Sequence, residues 1–141
     1  MMPYLPADLP RIAPGRDEAP WWEALARHEL VVQRCARCGT WRHPPAPLCA
    51  ACHATAARFE RVSGRGRVFT YTIVHHAVHP LLADRVPYNV VVVELPDAGG
   101  VHLISNLIDV PAAELRVGLE VQVGFEDLDD GVTLARFRCP H

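Results

Sequence analysis

No lysine occurs in this chain: all fourteen of its cations are arginine. No apolar run approaches the roughly 20 residues needed to cross a bilayer, so a membrane-spanning helix is not expected. The opening MMPYLPADLP has no basic start followed by an apolar stretch, the pattern of a secretory leader, and the expectation is a cytoplasmic protein. Internal repeats and low-complexity tracts are lacking as well. With 141 residues, half of them hydrophobic, there is material for one ordinary core, or for one small core plus a metal-stapled module.

Charge is unevenly divided. Arg27 to Arg67 holds eight arginines against Glu29 and Glu60, whereas Asp84 to Asp130 holds ten carboxylates against Arg85 and Arg116. The first stretch could attract phosphate; the second should repel a nucleic-acid backbone.

Along the chain, Pro3, Pro6, Pro10 and Pro14 make residues 1–16 an extended arm. Pro20 sits where a first helical turn tolerates it, and Trp21, Ala24, Leu25 and His28 recur at helical spacing, which predicts a short helix at about 18–29. Two adjacent tryptophans cannot both face one small core from so short a helix. Trp21 is expected inside and Trp22 on the zinc ribbon that follows, with partner anchoring the alternative for either. LVVQRC (30–35) reads as a strand leading into the first cysteine pair, and the residues after Cys52 read as a polar connector. Five strand signals follow at 68–76, 88–95, 101–108, 121–126 and 132–138. Pro96 to Gly100 and Asp129-Asp130-Gly131 supply hairpin turns, and Pro111 to Leu115 a helical turn. The fold class is mainly β: a short N-terminal helix, a rubredoxin-like zinc ribbon and a five-stranded OB-fold barrel. The division is an arm and helix over 1–29, a ribbon over 30–58 and a barrel over 59–141.

Cys35-x-x-Cys38 and Cys49-x-x-Cys52 lie ten residues apart, two knuckles offering four soft ligands of the kind zinc takes tetrahedrally. The spacer suffices for a ribbon hairpin turning at Pro44-Pro45, and Gly39 stands where a knuckle wants a residue without Cβ. Paired disulfides, or replacement of one thiolate by His43 or His53, are the alternatives. Four thiolates leave no open coordination position, so the zinc would be structural and would not activate water.

A catalytic constellation is not visible. His75, His76 and His79 crowd one strand end, yet no serine, cysteine or carboxylate neighbours them in sequence. They read as solvated, or as lining a channel or subunit contact. Gly64-Arg65-Gly66 precedes a strand instead of a helix, which favours a tight turn over a phosphate loop. Cys139 reads as a free thiol.

The order of motifs is specific: a helix with Trp21 and Trp22, then LVVQRCARCGTWRHPPAPLCAAC, RVSGRGRVFTYTIVHH, PYNVVVVELPDAGGVHLISNL and GLEVQVGF. From about Pro20 to Arg138 this resembles the zinc-ribbon/OB-fold family of acyl-CoA-associated proteins, long catalogued as a domain of unknown function. The resemblance implies a non-catalytic partner of a thiolase-superfamily subunit in a hetero-oligomer. Its expected setting is steroid degradation and lipid metabolism, beside a lipid-transfer-protein-type aldolase acting on steroid side-chain CoA thioesters. Partnership with a thiolase, an acetyltransferase or a hotdog-fold enoyl-CoA hydratase is the alternative. A CoA thioester at the interface would find phosphate contacts in Arg65 and Arg67, whose forked guanidinium suits phosphate. Apolar partner contact would come from the loop running from His75 and His76 through Leu81 and Leu82 to Tyr88.

Two competing classes are a nucleic-acid-binding module and a free-standing CoA-ester carrier or enzyme. Nucleic acid is disfavoured by the acidic barrel. Phe69 and Tyr71 are the only aromatic pair near its first strand on which bases could stack, and core packing is the more economical expectation for them.

Overall fold

The computed structural model describes residues 4–6, 8–9 and 12–140; Pro3 and Pro10 of the proline-rich arm lie outside the described residues. Among those described, no helix is long and apolar enough to cross a membrane. Helix α1 spans Ala19–Ala26 with Pro20 in its first turn. It stops short of residue 29 because His28 turns left-handed, at φ 59°. The Glu29 N–H then reaches the Ala24 carbonyl at 3.0 Å and the His28 N–H the Leu25 carbonyl at 2.8 Å, which satisfies the carbonyls of the last turn.

The ribbon has three antiparallel strands in the order β2-β1-β3, with β1 at Val31–Cys35, β2 at Trp41–Arg42 and β3 at Ala57–Arg61. Two expectations are corrected here. The hairpin turns within the first cysteine knuckle, where the Cys35 N–H bonds to the Thr40 carbonyl at 2.9 Å and the Gly39 N–H to the Cys35 carbonyl at 3.0 Å. Pro44 and Pro45 follow β2 and carry the chain towards the second knuckle. The supposed polar connector contains β3, paired along its whole length with β1. Its sequence ARFER hides the strand because it is charged: Glu60 bonds to Arg34 of β1 across the ribbon and to Arg58 along its own strand.

The second sheet comprises β4 (Arg65–Val74), β5 (Tyr88–Leu95), β6 (Val101–Ser105), β7 (Glu120–Asp127) and β8 (Thr133–Arg138), in the order β6-β5-β4-β7-β8. Neighbouring strands are antiparallel. A parallel bridge from Leu107 to Phe137 draws the two end strands together, so the sheet curls into a nearly closed five-stranded barrel. A 3-10 turn at Ala112–Glu114 interrupts the path from β6 to β7. Strand β5 alternates buried and half-buried residues throughout, the period of a strand with one face on a core. Gly64, at φ 79°, makes the turn, but Gly66 belongs to β4. There a Cβ would come 2.4 Å from Val93 Cγ1 and 2.9 Å from the Glu94 carbonyl oxygen, so β4 and β5 meet at a distance only glycine permits.

One apolar cluster joins all three parts: Trp21 and Leu25 of the helix, Val32 of the ribbon, and Val68, Val93 and Phe137 of the barrel, with their neighbours. Trp22 is half-buried, packs against that same cluster and sits edge-to-face on Trp21 with centroids 4.8 Å apart. The two tryptophans therefore share one core, to which the ribbon contributes Val31 and Val32. The edge-to-face geometry lets adjacent side chains turn towards one another. The packing expected of Phe69 and Tyr71 is corrected, since both are exposed, Phe69 at 49%. The register of β4 against β5 shifts between Val68 and Thr70. Past this bulge, residues 69–72 are exposed on both faces, because the strand has run beyond the core.

Candidate functional site

In the first knuckle Gly39 adopts φ 79°, and in the second His53 holds the equivalent left-handed position at φ 64°. Each chain reversal places two cysteines side by side, and the two reversals face one another. The four sulfurs of Cys35, Cys38, Cys49 and Cys52 lie within 4.8 Å of one another. The Cys35–Cys52 and Cys38–Cys49 separations are 3.6 and 3.7 Å. A tetrahedron with metal–sulfur arms of about 2.3 Å has edges of about 3.8 Å, so the donor set fits a single zinc ion. The described cysteines are free thiols with no disulfide. His53 serves the knuckle through its backbone, and His43 lies elsewhere, against Trp21.

The surroundings favour the thiolate at Cys35 and Cys38, whereas at Cys52 the lowering by the Ala54 backbone is outweighed by burial and the neighbouring cysteines, which push that thiol up to about 11. The Cys38 backbone N–H, 3.5 Å from Cys35 Sγ, leads the influences that pull the Cys35 thiol down to about 6. The Thr40 hydroxyl, 3.0 Å from Cys38 Sγ, heads those that lower the Cys38 thiol. Thr40 and His53 are supporting residues that the reading of the sequence missed. A residue directly after each CxxC is the signal that could have found His53. With four sulfur donors the centre is coordinatively closed, a brace for the ribbon.

The other candidate residues are not gathered into one site. Arg65 and Arg67 line an open cavity of about 340 Å³ at the start of β4, together with Ser63, Gln122 and two carboxylates, Asp97 and Glu120. Arg67 is already committed, with Nη2 2.6 Å from Glu94 Oε1 across the strand pair. Arg65 makes no ion pair among the described residues. His75 and His76 are exposed just past the far end of β4, and Tyr88 opens β5 beside it. Arg65 and Val74 stand at the two ends of the ten-residue β4, about 30 Å apart at roughly 3.3 Å per residue. The two groups thus occupy opposite ends of the barrel. Between His76 and Tyr88 a 3-10 turn at Pro80–Leu82 is capped by His79 Nδ1, which accepts the Leu81 N–H. It turns Leu81 outward but buries Leu82 at 6% exposure, which removes Leu82 from any surface offered to a partner. Tyr88 lines a cavity of about 500 Å³ with Ile73, Pro87 and Val110. Cys139 is half-buried against the core.

Beside these lies a polar network that no motif announced. Asn89 bonds through its side chain to both the N–H and the carbonyl of Leu107, at 2.7 and 2.9 Å. The Asn106 side chain donates to the Asn89 carbonyl and accepts from Arg136. Arg136 also pairs with Glu126 at 3.4 Å, both side chains under 10% exposed. Tyr4 closes the network: its ring lies 5.3 Å from the Arg136 guanidinium, and its hydroxyl accepts the Asn89 N–H at 3.3 Å.

A closed four-thiolate ribbon sharing one core with an OB barrel defines a two-module zinc-ribbon/OB-fold protein. Family comparison agrees module by module. Residues 22–57 match the rubredoxin-like zinc ribbon domain of ChsH2 and residues 59–126 its C-terminal OB-fold domain. The chain belongs to this ChsH2-type DUF35 family. A DUF35 domain-containing scaffold protein of Methanocaldococcus jannaschii is 31% identical, with 79% of this chain and 81% of that protein aligned. A probable enoyl-CoA hydratase alpha subunit of Thermomonospora curvata is 39% identical over 92% of this chain. The 3-oxo-4,17-pregnadiene-20-carboxyl-CoA hydratase alpha subunit of Mycobacterium tuberculosis is 34% identical over 89% of it. The chain spans only 39% of the length of each of these two hydratase subunits. Among solved structures, a chain of the Ltp2-ChsH2(DUF35) aldolase superposes with a TM-score of 0.82 at 38% identity, covering 92% of this chain and 98% of that one. A DUF35 protein of unknown function from Sulfolobus solfataricus shares the fold, with a TM-score of 0.62 at 16% identity and coverage of 89% and 87%.

Proposed function

We propose that this chain is a non-catalytic accessory subunit, braced by zinc on Cys35, Cys38, Cys49 and Cys52, that assembles with a thiolase-like catalytic subunit acting on acyl-CoA esters. The preferred assembly is a lipid-transfer-protein-type aldolase that cleaves steroid side-chain CoA thioesters. The observation that carries this reading is the match over 98% of a chain from an aldolase complex, at a TM-score of 0.82. The chemistry of the molecule agrees with it. The zinc site has no open position for a substrate, and the exposed histidines His75 and His76 have no nucleophile or carboxylate bonded to them among the described residues. A free thiolate set suits a reducing compartment, which is the basis for a cytoplasmic location.

A hydratase partner is the second reading, supported by the two hydratase alpha subunits that this chain resembles over part of their length. Substrate contact, if made from this chain, falls to Arg65, the uncommitted guanidinium of the cavity at the start of β4; Asp97 and Glu120 on the same walls oppose a phosphate there. Leu81 and Tyr88 remain as apolar partner contacts at the other end.

Co-expression with a thiolase-like aldolase subunit and with a hotdog-fold hydratase subunit, followed by gel filtration and assay on acyl-CoA substrates, tests the proposal. A stable complex with the thiolase-like subunit is expected, with carbon–carbon cleavage by the complex and none by this chain alone. Turnover by the purified chain, or assembly with the hydratase subunit alone, would overturn it.

A further inference from the structure

Strand β5 is apolar on both of its faces. Val91 and Val93 lie in the barrel core, and Val90 and Val92 alternate with them onto the outer face, where they are only half-buried. An antiparallel strand with one side towards water ordinarily alternates apolar with polar residues, whereas continuous apolar runs belong to strands covered on both sides. The neighbouring strands extend the same outer face. Ile104 of β6 stands opposite Val92, and Thr70 and Thr72 of β4 stand opposite Val92 and Val90. Ile104 is 72% exposed. Phe69, in the bulge of β4, reaches over β5 to bring its ring centre 4.2 Å from that of His102 on β6.

The charge of this face decides what it suits. Strands β5 and β6 contain no arginine, and their one carboxylate, Glu94, is bonded to Arg67 of β4 at 2.6 Å. They are the second and third strands of the barrel, the face on which OB folds take up elongated ligands. Nucleic acid would need free cations there, and β5 and β6 supply none. An uncharged protein surface matches instead, because the centres of protein interfaces are depleted in charge and enriched in aromatic residues. The size of the face bears on the occupant too. A patch three strands wide and about five residues long covers roughly 240 Å², well short of the ~800 Å² that each partner buries in a stable complex. A second copy laid flat on this face alone is therefore too small a contact. The face continues, however, into the loop before β5: Tyr88 shares the outward side of Val90 and Val92, and Leu81 of that loop is exposed. A larger partner reaches both.

We propose that the outer face of β4, β5 and β6, centred on Phe69, Val92 and Ile104, docks on an uncharged apolar surface of the catalytic subunit, which rests on the accessory-subunit reading above. Phe69 and Ile104 are its anchors, Val92 lies between them, and the Arg67–Glu94 pair borders the contact without leaving a lone charge to bury.

Titration calorimetry of the zinc-loaded chain against a thiolase-like aldolase subunit tests this. Ile104→Asp changes an exposed side chain, so melting temperature and zinc content should stay as in the unmodified chain. Its binding should weaken at least about 30-fold, the effect of losing a central interface anchor. Ile104→Leu should bind like the unmodified chain. Val117→Asp places the same charge on a residue 65% exposed in the turn before β7, outside the face, and should also leave binding unchanged. Undiminished binding by Ile104→Asp would overturn the docking face while the accessory-subunit reading stood. Equal losses in Ile104→Asp and Val117→Asp would overturn it too, since added charge anywhere would then suffice. So would self-association of the chain alone that Ile104→Asp abolishes, which would give the face to a second copy. No binding by the unmodified chain would overturn the accessory-subunit reading and the docking face together.

Discussion

His28 shows how much one residue can hold. It ends α1 in the left-handed region, stacks its ring on Phe125 with centroids 5.0 Å apart, and brings Nε2 2.9 Å from the Asp127 carboxylate. The Thr133 hydroxyl first, and then His28, hold the Asp127 carboxyl below its ordinary value. A carboxyl whose value is lowered by folding lends stability above its unfolded value, and that stability is lost as the pH falls through the folded value. Asp127→Asn should therefore lower the melting temperature at pH 7 and flatten the decline below about pH 4. Parallel acid limbs for the two proteins in thermal melts would contradict this. Gly66 has a steric role instead. Gly66→Ala puts a methyl against Val93 and the Glu94 carbonyl, and an overpacking cost of roughly 1–3 kcal/mol in urea denaturation is expected.

At the scale of elements, the cysteine knuckles are held by their own backbone bonds but brought together by the metal. Cys49→Ser should release zinc, measured per chain by elemental analysis, and loosen β1, β2 and β3 together, measured by amide exchange. Loss should also deepen on acidification, because the ligands bind as thiolates and a protonated thiol is no ligand. Full zinc retention by the variant would remove Cys49 from the ligand set. The seam between β7 and β8 depends on the Arg136–Glu126 pair. Arg136→Met alone leaves Glu126 buried and unpaired and should cost about 3–5 kcal/mol, whereas Arg136→Met with Glu126→Leu should recover most of it. Additive losses in this double-mutant cycle would show that the two residues do not act as a pair.

For the whole molecule, the shared core decides how it unfolds. Trp21, Val32 and Phe137 belong to one apolar cluster, so helix, ribbon and barrel should melt together despite their separate sequence signatures. Tryptophan fluorescence, which reports the helix and ribbon, and strand circular dichroism should give coincident transitions. Chelation of zinc should shift both by the same amount. A barrel transition unmoved by chelation would show two independent units.

The four thiols, the five barrel strands and the barrel turns at Gly99-Gly100 and Gly131 were legible in the sequence because each rests on local chemistry: ligand spacing, strand-forming residues, and residues able to take positive φ. Strand β5 was read with its bounds at Tyr88–Leu95 for that reason. What escaped depends on neighbours distant in the chain. β3 is a strand because β1 lies beside it and pairs with its backbone along the whole length. Phe69 faces water because a bulge ends the contact of β4 with the core. Arg67 is occupied because the register sets Glu94 opposite it. Local composition determined which elements form and which atoms can bind a metal; register and packing, which act between residues far apart, decided which side chains remained free to bind anything else.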